Sequence, residues 1–283
     1  MNGISIPNNS DRISCSHTPL PHLNIRAYSK FIFKLYFFWH NPFMQTILEF
    51  IKKIVPRPII DHGIYLIFYR IFRQSYFAQS GLDKKLKKYI NYDNGYFVEL
   101  GANDGFTASN TLYFELKKNW RGVLIEPSPN LYLSCSHYRN RVGNKIFCNA
   151  CVPFGYNEKY VEIDYAYLMS VSNDLEKDTP ENFIENANLG LNKYIQNLRF
   201  GSIARTLSSI LDESKAPQTI DLLSLDAEGA ELAILKGIDF KKYSFKFMLI
   251  ESRSPERLSE FLSQHGYSQI DQLSHHDYLF APN

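Results

Sequence analysis

Glu99-Leu100-Gly101-Ala102-Asn103-Asp104-Gly105 follows directly on the apolar run Tyr96-Phe97-Val98. The chain leaves a strand at an acid, turns on two glycines in the spacing acid-x-Gly-x-x-x-Gly, and is expected to enter a helix near Thr107. Glycine takes positive φ without penalty and lets backbone approach a ligand, so a turn of this composition suits a binding loop. Working outward, further apolar strand-like runs lie at residues 122–125, 145–152, 220–225 and 245–250, with helical patterns between several of them. Strands alternating with helices predict a parallel sheet covered on both faces. The C-terminal segment differs. A helix over residues 256–265 precedes short apolar runs at 267–270 and 278–281 joined by a polar loop, which predicts a hairpin. The expected fold is α/β: a mostly parallel seven-stranded sheet with an antiparallel hairpin at its C-terminal edge and helices on both faces.

In an open parallel sheet, ligands bind beyond the carboxyl ends of the strands, where the strand order reverses. Dinucleotide folds use Gly-x-Gly-x-x-Gly there, bringing a pyrophosphate onto a helix N-terminus. Here the middle glycine is missing and Glu99 precedes the turn. A carboxylate repels a pyrophosphate but pairs with the amino-acid end of S-adenosylmethionine, directly or through water. The arrangement therefore favours that cofactor over NAD; a generic strand-to-helix turn is the plain alternative. The second strand ends Val123-Leu124-Ile125-Glu126-Pro127-Ser128-Pro129, with Glu126 27 residues after Glu99, where an acid accepts hydrogen bonds from both ribose hydroxyls.

The run at 220–225 ends in Asp226-Ala227-Glu228-Gly229, and the run at 245–250 delivers Glu251 to the same rim. Crowded carboxylates raise one another's pKa or bind a cation. Methyl transfer to a hydroxyl needs removal of a proton, which suits a carboxylate base or a metal-polarised oxygen. Asp226, Glu228 and Glu251 are thus the catalytic candidates, Asp226 first among them. Asp226 and Glu251 are also the candidate ligands for a divalent metal such as magnesium. Glu228 has a competing structural reading, as a charge at a helix N-terminus.

The 31 Lys and Arg nearly balance 29 Asp and Glu, a net charge of +2 that calls for no nucleic-acid partner. Residues 1–24 are polar and aperiodic, and read as a disordered leader. Residues 25–75 read as an aromatic, basic and helical extension. Its apolar runs are interrupted by Lys34, His40, Asn41, Pro42, Lys52, Arg57, Asp61 and Arg70, short of the roughly 20 residues a spanning helix needs. Two readings stay open for it, helices docked on the main domain or a basic-aromatic surface peripheral to an anionic bilayer. The run Asp83-Lys84-Lys85-Leu86-Lys87-Lys88 reads as the solvated face of a helix that turns Leu82, Leu86 and Ile90 inward. Cys15, Cys135, Cys148 and Cys151 lack the paired spacings of a zinc site. The Cys148-Asn149-Ala150-Cys151 run closes a strand instead of opening a helix, so buried free thiols and a cytoplasmic setting are expected.

Taken in order, several segments resemble the FkbM-type methyltransferase family from about Ser75 onward. They are Tyr76-Phe77-Ala78-Gln79-Ser80-Gly81-Leu82-Asp83-Lys84, Gly95 through Gly105, Ser109-Asn110-Thr111, Ile125-Glu126-Pro127-Ser128-Pro129, Leu222 through Leu232, and Asp277-Tyr278-Leu279-Phe280. The resemblance implies a Rossmann-like class I methyltransferase fold over residues 76–283. It implies O-methylation of a sugar, a glycan or glycolipid precursor, or a secondary metabolite, often in surface polysaccharide pathways. By the same carry-over Glu99, Gly101, Ala102, Asn103, Gly105, Glu126, Pro127 and Asp226 line the adenosylmethionine site. Gln79 and Asp83 belong to a lead-in segment that folds over it. Residues 152–200 depart from the family pattern and are expected to hold substrate choice as an insertion. Two other functions stay open at this stage, a catalytically silent adenosylmethionine-binding module docked to a membrane or partner, and an NAD-dependent oxidoreductase. Oligomeric state is not legible.

Overall fold

In the computed structural model, residues 76–140, 143–166, 169–176 and 198–283 are described. The expected leader at 1–24, the extension at 25–75 with its membrane reading, and residues 177–197 of the expected insertion lie outside them. Parallel strands β1 (Tyr96–Leu100), β2 (Arg121–Ile125), β3 (Lys145–Phe147), β8 (Thr219–Leu225) and β9 (Ser244–Glu251) form the main sheet, finished by the antiparallel hairpin β10 (Tyr267–Gln272) and β11 (Asp277–Pro282). The spatial order is β10-β11-β9-β8-β1-β2-β3. This is the mixed α/β layout expected from the apolar runs, and the hairpin stands where the C-terminal pattern put it.

Central strands carry apolar residues on both faces because both faces are covered. Val98 and Leu100 of β1 join one core with helices α4 (Leu207–Ser214), α5 (Glu231–Leu235) and α6 (Pro255–Ser263). Phe97 and Glu99 face the other side, where Arg139 of α3 (Pro129–Arg139) lies over the Phe97 ring and pairs with Glu115 of α2 (Leu112–Lys118). The lead-in forms a 3-10 turn, Gln79–Gly81, and helix α1 (Leu82–Leu86). Among the described residues no helix is long and apolar enough to cross a membrane.

Three local expectations need correction. The helix after the glycine turn begins at Leu112, not near Thr107. Residues 101–111 form a loop held by side chains: Asp104 accepts from Phe106 N, Thr107 N and Thr107 Oγ1, and Glu99 accepts from Asn110 N. Such local side-chain bonds compete with helix hydrogen bonding. The run at 145–152 is two strands in two sheets. After β3 the chain crosses to β4 (Ala150–Cys151) of a second sheet, ordered β4-β7-β5-β6, with β5 at Tyr160–Asp164, β6 at Val171–Ser172 and β7 at Arg199–Arg205. Asn149 fixes the crossing by donating to Ile203 O at 3.0 Å. Finally, Asp83 is no part of a solvated face. It is fully buried and accepts from Phe77 N at 2.6 Å, while Leu82, Leu86 and Ile90 turn inward as expected.

Candidate functional site

The strand order reverses between β1 and β8, since β1 continues to β2 on one side and β8 to β9 on the other. The two carboxyl ends touch there. Asp226 N donates to Leu100 O at 3.4 Å, and a Cβ on Gly101 would stand 2.0 Å from Asp226 O. With φ at +74° as well, position 101 admits glycine alone without rearrangement. Gly101 N and Ala102 N both donate to Ile125 O at 3.1 Å, tying the turn to the end of β2.

Beside that turn Glu126 is buried, its two oxygens accepting from Asn103 N and Ser128 N, each at 2.9 Å. Burial pushes its carboxyl up to about 7 against the pull of those two amides. Asn103, at φ +49°, is 6% exposed, and neither its Oδ1 nor its Nδ2 has a partner. A buried amide with both ends unpaired is costly unless something else satisfies it. Asn110 Oδ1 is orphaned in the same way, although Asn110 Nδ2 donates to Ser224 Oγ at 3.0 Å.

Glu99 and Gly105, expected at the ligand, are packed between the loop and α3. The Glu99 carboxylate accepts from Ser109 Oγ, Asn110 N and Thr111 Oγ1 and lies 3.5 Å from Arg139 Nη1. A Cβ on Gly105 would stand 2.7 Å from Arg139 Cγ and 3.0 Å from Cys135 Sγ, so its glycine makes room for α3. The centre of this assembly is Arg139, which was not legible in the sequence. It is wholly buried, pairs with Glu115 at 2.6 Å, and donates to Gly105 O and Thr111 Oγ1, each at 2.9 Å. Pro127 is partly buried beside Glu126, and Cys148 Sγ lies 3.9 Å from its carbonyl. Gln79 is exposed on the lead-in, which reaches the loop through an Ala78–Ala108 bridge and a Phe77–Phe106 edge contact. Cys135, Cys148 and Cys151 are free thiols, and burial raises all three, Cys135 and Cys151 to about 12.

At the ends of β8 and β9, oxygens of Asp226, Glu228 and Glu251 lie within 4.8 Å of one another. Asp226 is exposed at the rim, and desolvation of its carboxyl, followed by the charge of Glu251, raises it above the usual carboxylate range. Burial and then Glu251 push Glu228 up to about 7. Arg253, which the sequence reading passed over, enters the same cluster: its Nη2 is 3.0 Å from Glu228 Oε2 and 3.6 Å from Glu251 Oε1. It sits in the bend that follows Glu251, before α6, where strand alternation no longer fixes which way a side chain turns. Glu228 does not cap α5, which starts after Ala230 without a side-chain cap; Glu231 instead closes the preceding turn, accepting from Ala227 N at 2.8 Å and Gly229 N at 3.0 Å. A small open recess between the β8–α5 and β9–α6 loops is lined by Gly229, Glu231, Ser252 and Arg257 together with Glu176.

A sheet of this order, with a glycine turn at its reversal and acids on its rim, defines a methyltransferase-type α/β fold. Residues 99–279 match the methyltransferase FkbM domain, and the chain belongs to that family. Among solved structures it is similar to an FkbM methyltransferase from Methylobacillus flagellatus KT, with 14% identity over 86% of this chain and 60% of that one, at a TM-score of 0.42. The chain thus spans 60% of the length of that relative. It is also similar to a precorrin-6y C5,15-methyltransferase from Geobacter metallireducens GS-15, with 14% identity over 72% of this chain and 89% of that one, at a TM-score of 0.34. No curated protein matches it.

Proposed function

We propose that this chain is an S-adenosylmethionine-dependent O-methyltransferase acting on a hydroxyl of a sugar, a glycan or glycolipid precursor, or a related metabolite. The observation that carries the donor is Asn103, whose two side-chain polar atoms are buried and unpartnered beside the ionisable Glu126. A ligand with both donors and acceptors at this point would satisfy them. The site's chemistry fits the donor's adenosyl half: Glu126 would accept the ribose hydroxyls, Asn103 would pair with a polar edge, and Gly101 and Ala102 would line the approach with backbone. The donor, once bound, supplies an electrophilic methyl group on a sulfonium.

The rest of the work falls to the rim. A neutral hydroxyl is a poor nucleophile, and its proton must leave as the new C–O bond forms. Asp226, at the strand reversal and against the turn, is the group assigned to take it. Its raised pKa makes it a stronger base, when ionised, than an ordinary aspartate. Residues 152–200, which depart from the family pattern, are assigned the choice of acceptor. Membership of a methyltransferase family and the missing middle glycine favour this reading over hydride transfer.

Calorimetric titration with S-adenosylmethionine, followed by transfer of labelled methyl to a panel of sugar acceptors, tests the proposal. The purified chain is expected to bind the donor and to label at least one hydroxylated acceptor. Absence of donor binding would sink the reading, and donor binding with no transfer to any acceptor would leave the silent module in its place.

A further inference from the structure

The rim carboxylates come with a cation of their own. A single guanidinium nitrogen, Arg253 Nη2, bridges Glu228 at 3.0 Å and Glu251 at 3.6 Å. The oxygens of Asp226, Glu228 and Glu251 that lie within 4.8 Å of one another would fit around one divalent ion, whose bonds to oxygen run about 2.0–2.6 Å. An ion bonded to both glutamates would have to enter the space that Nη2 bridges, and two positive charges would then stand side by side. The two cations are alternatives for one place.

The bridge differs from an ordinary surface pair. The side chains are 20% exposed for Arg253, 13% for Glu228 and 17% for Glu251, so water screens the contact weakly. A guanidinium stays charged at any working pH and presents donors in a fixed plane, which suits it to joining two carboxylates. The backbone holds the residue as well. Ser252 N donates to His276 O at 2.8 Å and Ser254 N to Ser252 Oγ at 3.0 Å, so Arg253 sits between two anchored neighbours.

We propose that Arg253 is a positioning residue that takes the place of a divalent metal in this cluster, so that methyl transfer at Asp226 proceeds without one. This rests on the reading that the cluster serves the acceptor hydroxyl. Arg253 offsets the charge of Glu228 and Glu251 and fixes both in place, two of the services a bound ion would supply; the third, activation of the hydroxyl, falls to Asp226 as base.

Manganese(II) is the probe, because its free aqua ion gives a paramagnetic resonance signal that is lost on binding. The full chain is titrated with it as wild type, Arg253→Met, Arg253→Lys, and Arg253→Met combined with Glu251→Gln. Wild type and Arg253→Lys are expected to leave the signal unchanged. Arg253→Met is expected to bind one ion per chain at least tenfold more tightly than wild type, and the added Glu251→Gln to abolish the gain. Tight binding by wild type that Glu251→Gln removes overturns the proposal. So does an Arg253→Met protein, folded by circular dichroism, that gains no binding. Should Arg253→Met fail to fold, Arg253→Gln replaces it and is read in the same way. Binding of S-adenosylhomocysteine is measured on the same samples; its absence in wild type overturns the donor reading and leaves the manganese result standing.

Discussion

Glu126 is a buried acid whose two oxygens already accept backbone amides, and burial holds its carboxyl at about 7. The ionised form is the one that accepts two hydroxyls. Lowering the pH from 8 to 6 protonates it, and donor affinity is expected to fall about tenfold across that window. Calorimetry at the two pH values checks this, and a flat profile would contradict it. Replacing the acid by its amide removes charge-assisted acceptance, so Glu126→Gln is expected to weaken donor binding roughly 10- to 100-fold. Asp226→Asn should behave in the opposite manner, keeping donor affinity while methyl transfer drops by about 100-fold or more. A variant that loses both together would place Asp226 in donor binding alone. Both acids stand at strand ends, and that is why they were legible: an apolar run fixes where a strand stops, and the parallel fold fixes what a strand end faces. Asn103 was legible as part of the turn, but its unpaired amide was not, because partners are a property of space.

The loop between β1 and α2 is the element that turns this sequence into a site. It begins at Gly101 against Asp226 and ends where Glu99 receives Asn110 and Thr111. Under it lies Arg139, which joins Glu99 of β1, Glu115 of α2 and the loop carbonyl of Gly105 from its place at the end of α3. Removing one partner of such a buried set leaves charges uncompensated. Arg139→Met is expected to cost about 3–5 kcal/mol in urea unfolding, and the paired change Glu115→Leu with Arg139→Met to recover part of that loss. A cost under ~1 kcal/mol would show that the network is dispensable. In the sequence, Arg139 is one basic residue among several near the end of a helix. Only the closing of α2 and α3 over one face of β1 gives it two acids to join. The late start of α2 has the same origin, since side chains of Glu99 and Asp104 satisfy the loop before a helix can form.

At the scale of the described domain, β11 lies between β9 and β10, so the last strand but one in space is the last in sequence. Leu279 and Phe280 are fully buried and pair with Leu249 and Met248 of β9. A chain ending at Gln272 would leave β9 as an apolar edge strand, and such edges template association. This truncation is expected to elute as aggregate with lost helical and sheet signal. A soluble monomer with the melting temperature of the full chain would contradict the topology. The second sheet presents the contrary case: the apolar run at 145–152 predicts one strand, and nothing in its composition marks the step from one sheet to another at Asn149. The sequence by itself determined the alternation of strands and helices, the hairpin, the glycine turn and the acids at the strand ends, because periodicity and φ requirements are local. Only tertiary structure decided that Glu99 turns inward to Arg139, that Asn103 is left unpaired beside Glu126, and that Arg253 reaches Glu228 and Glu251. Those are matters of which charges and amides meet when distant segments close on one another.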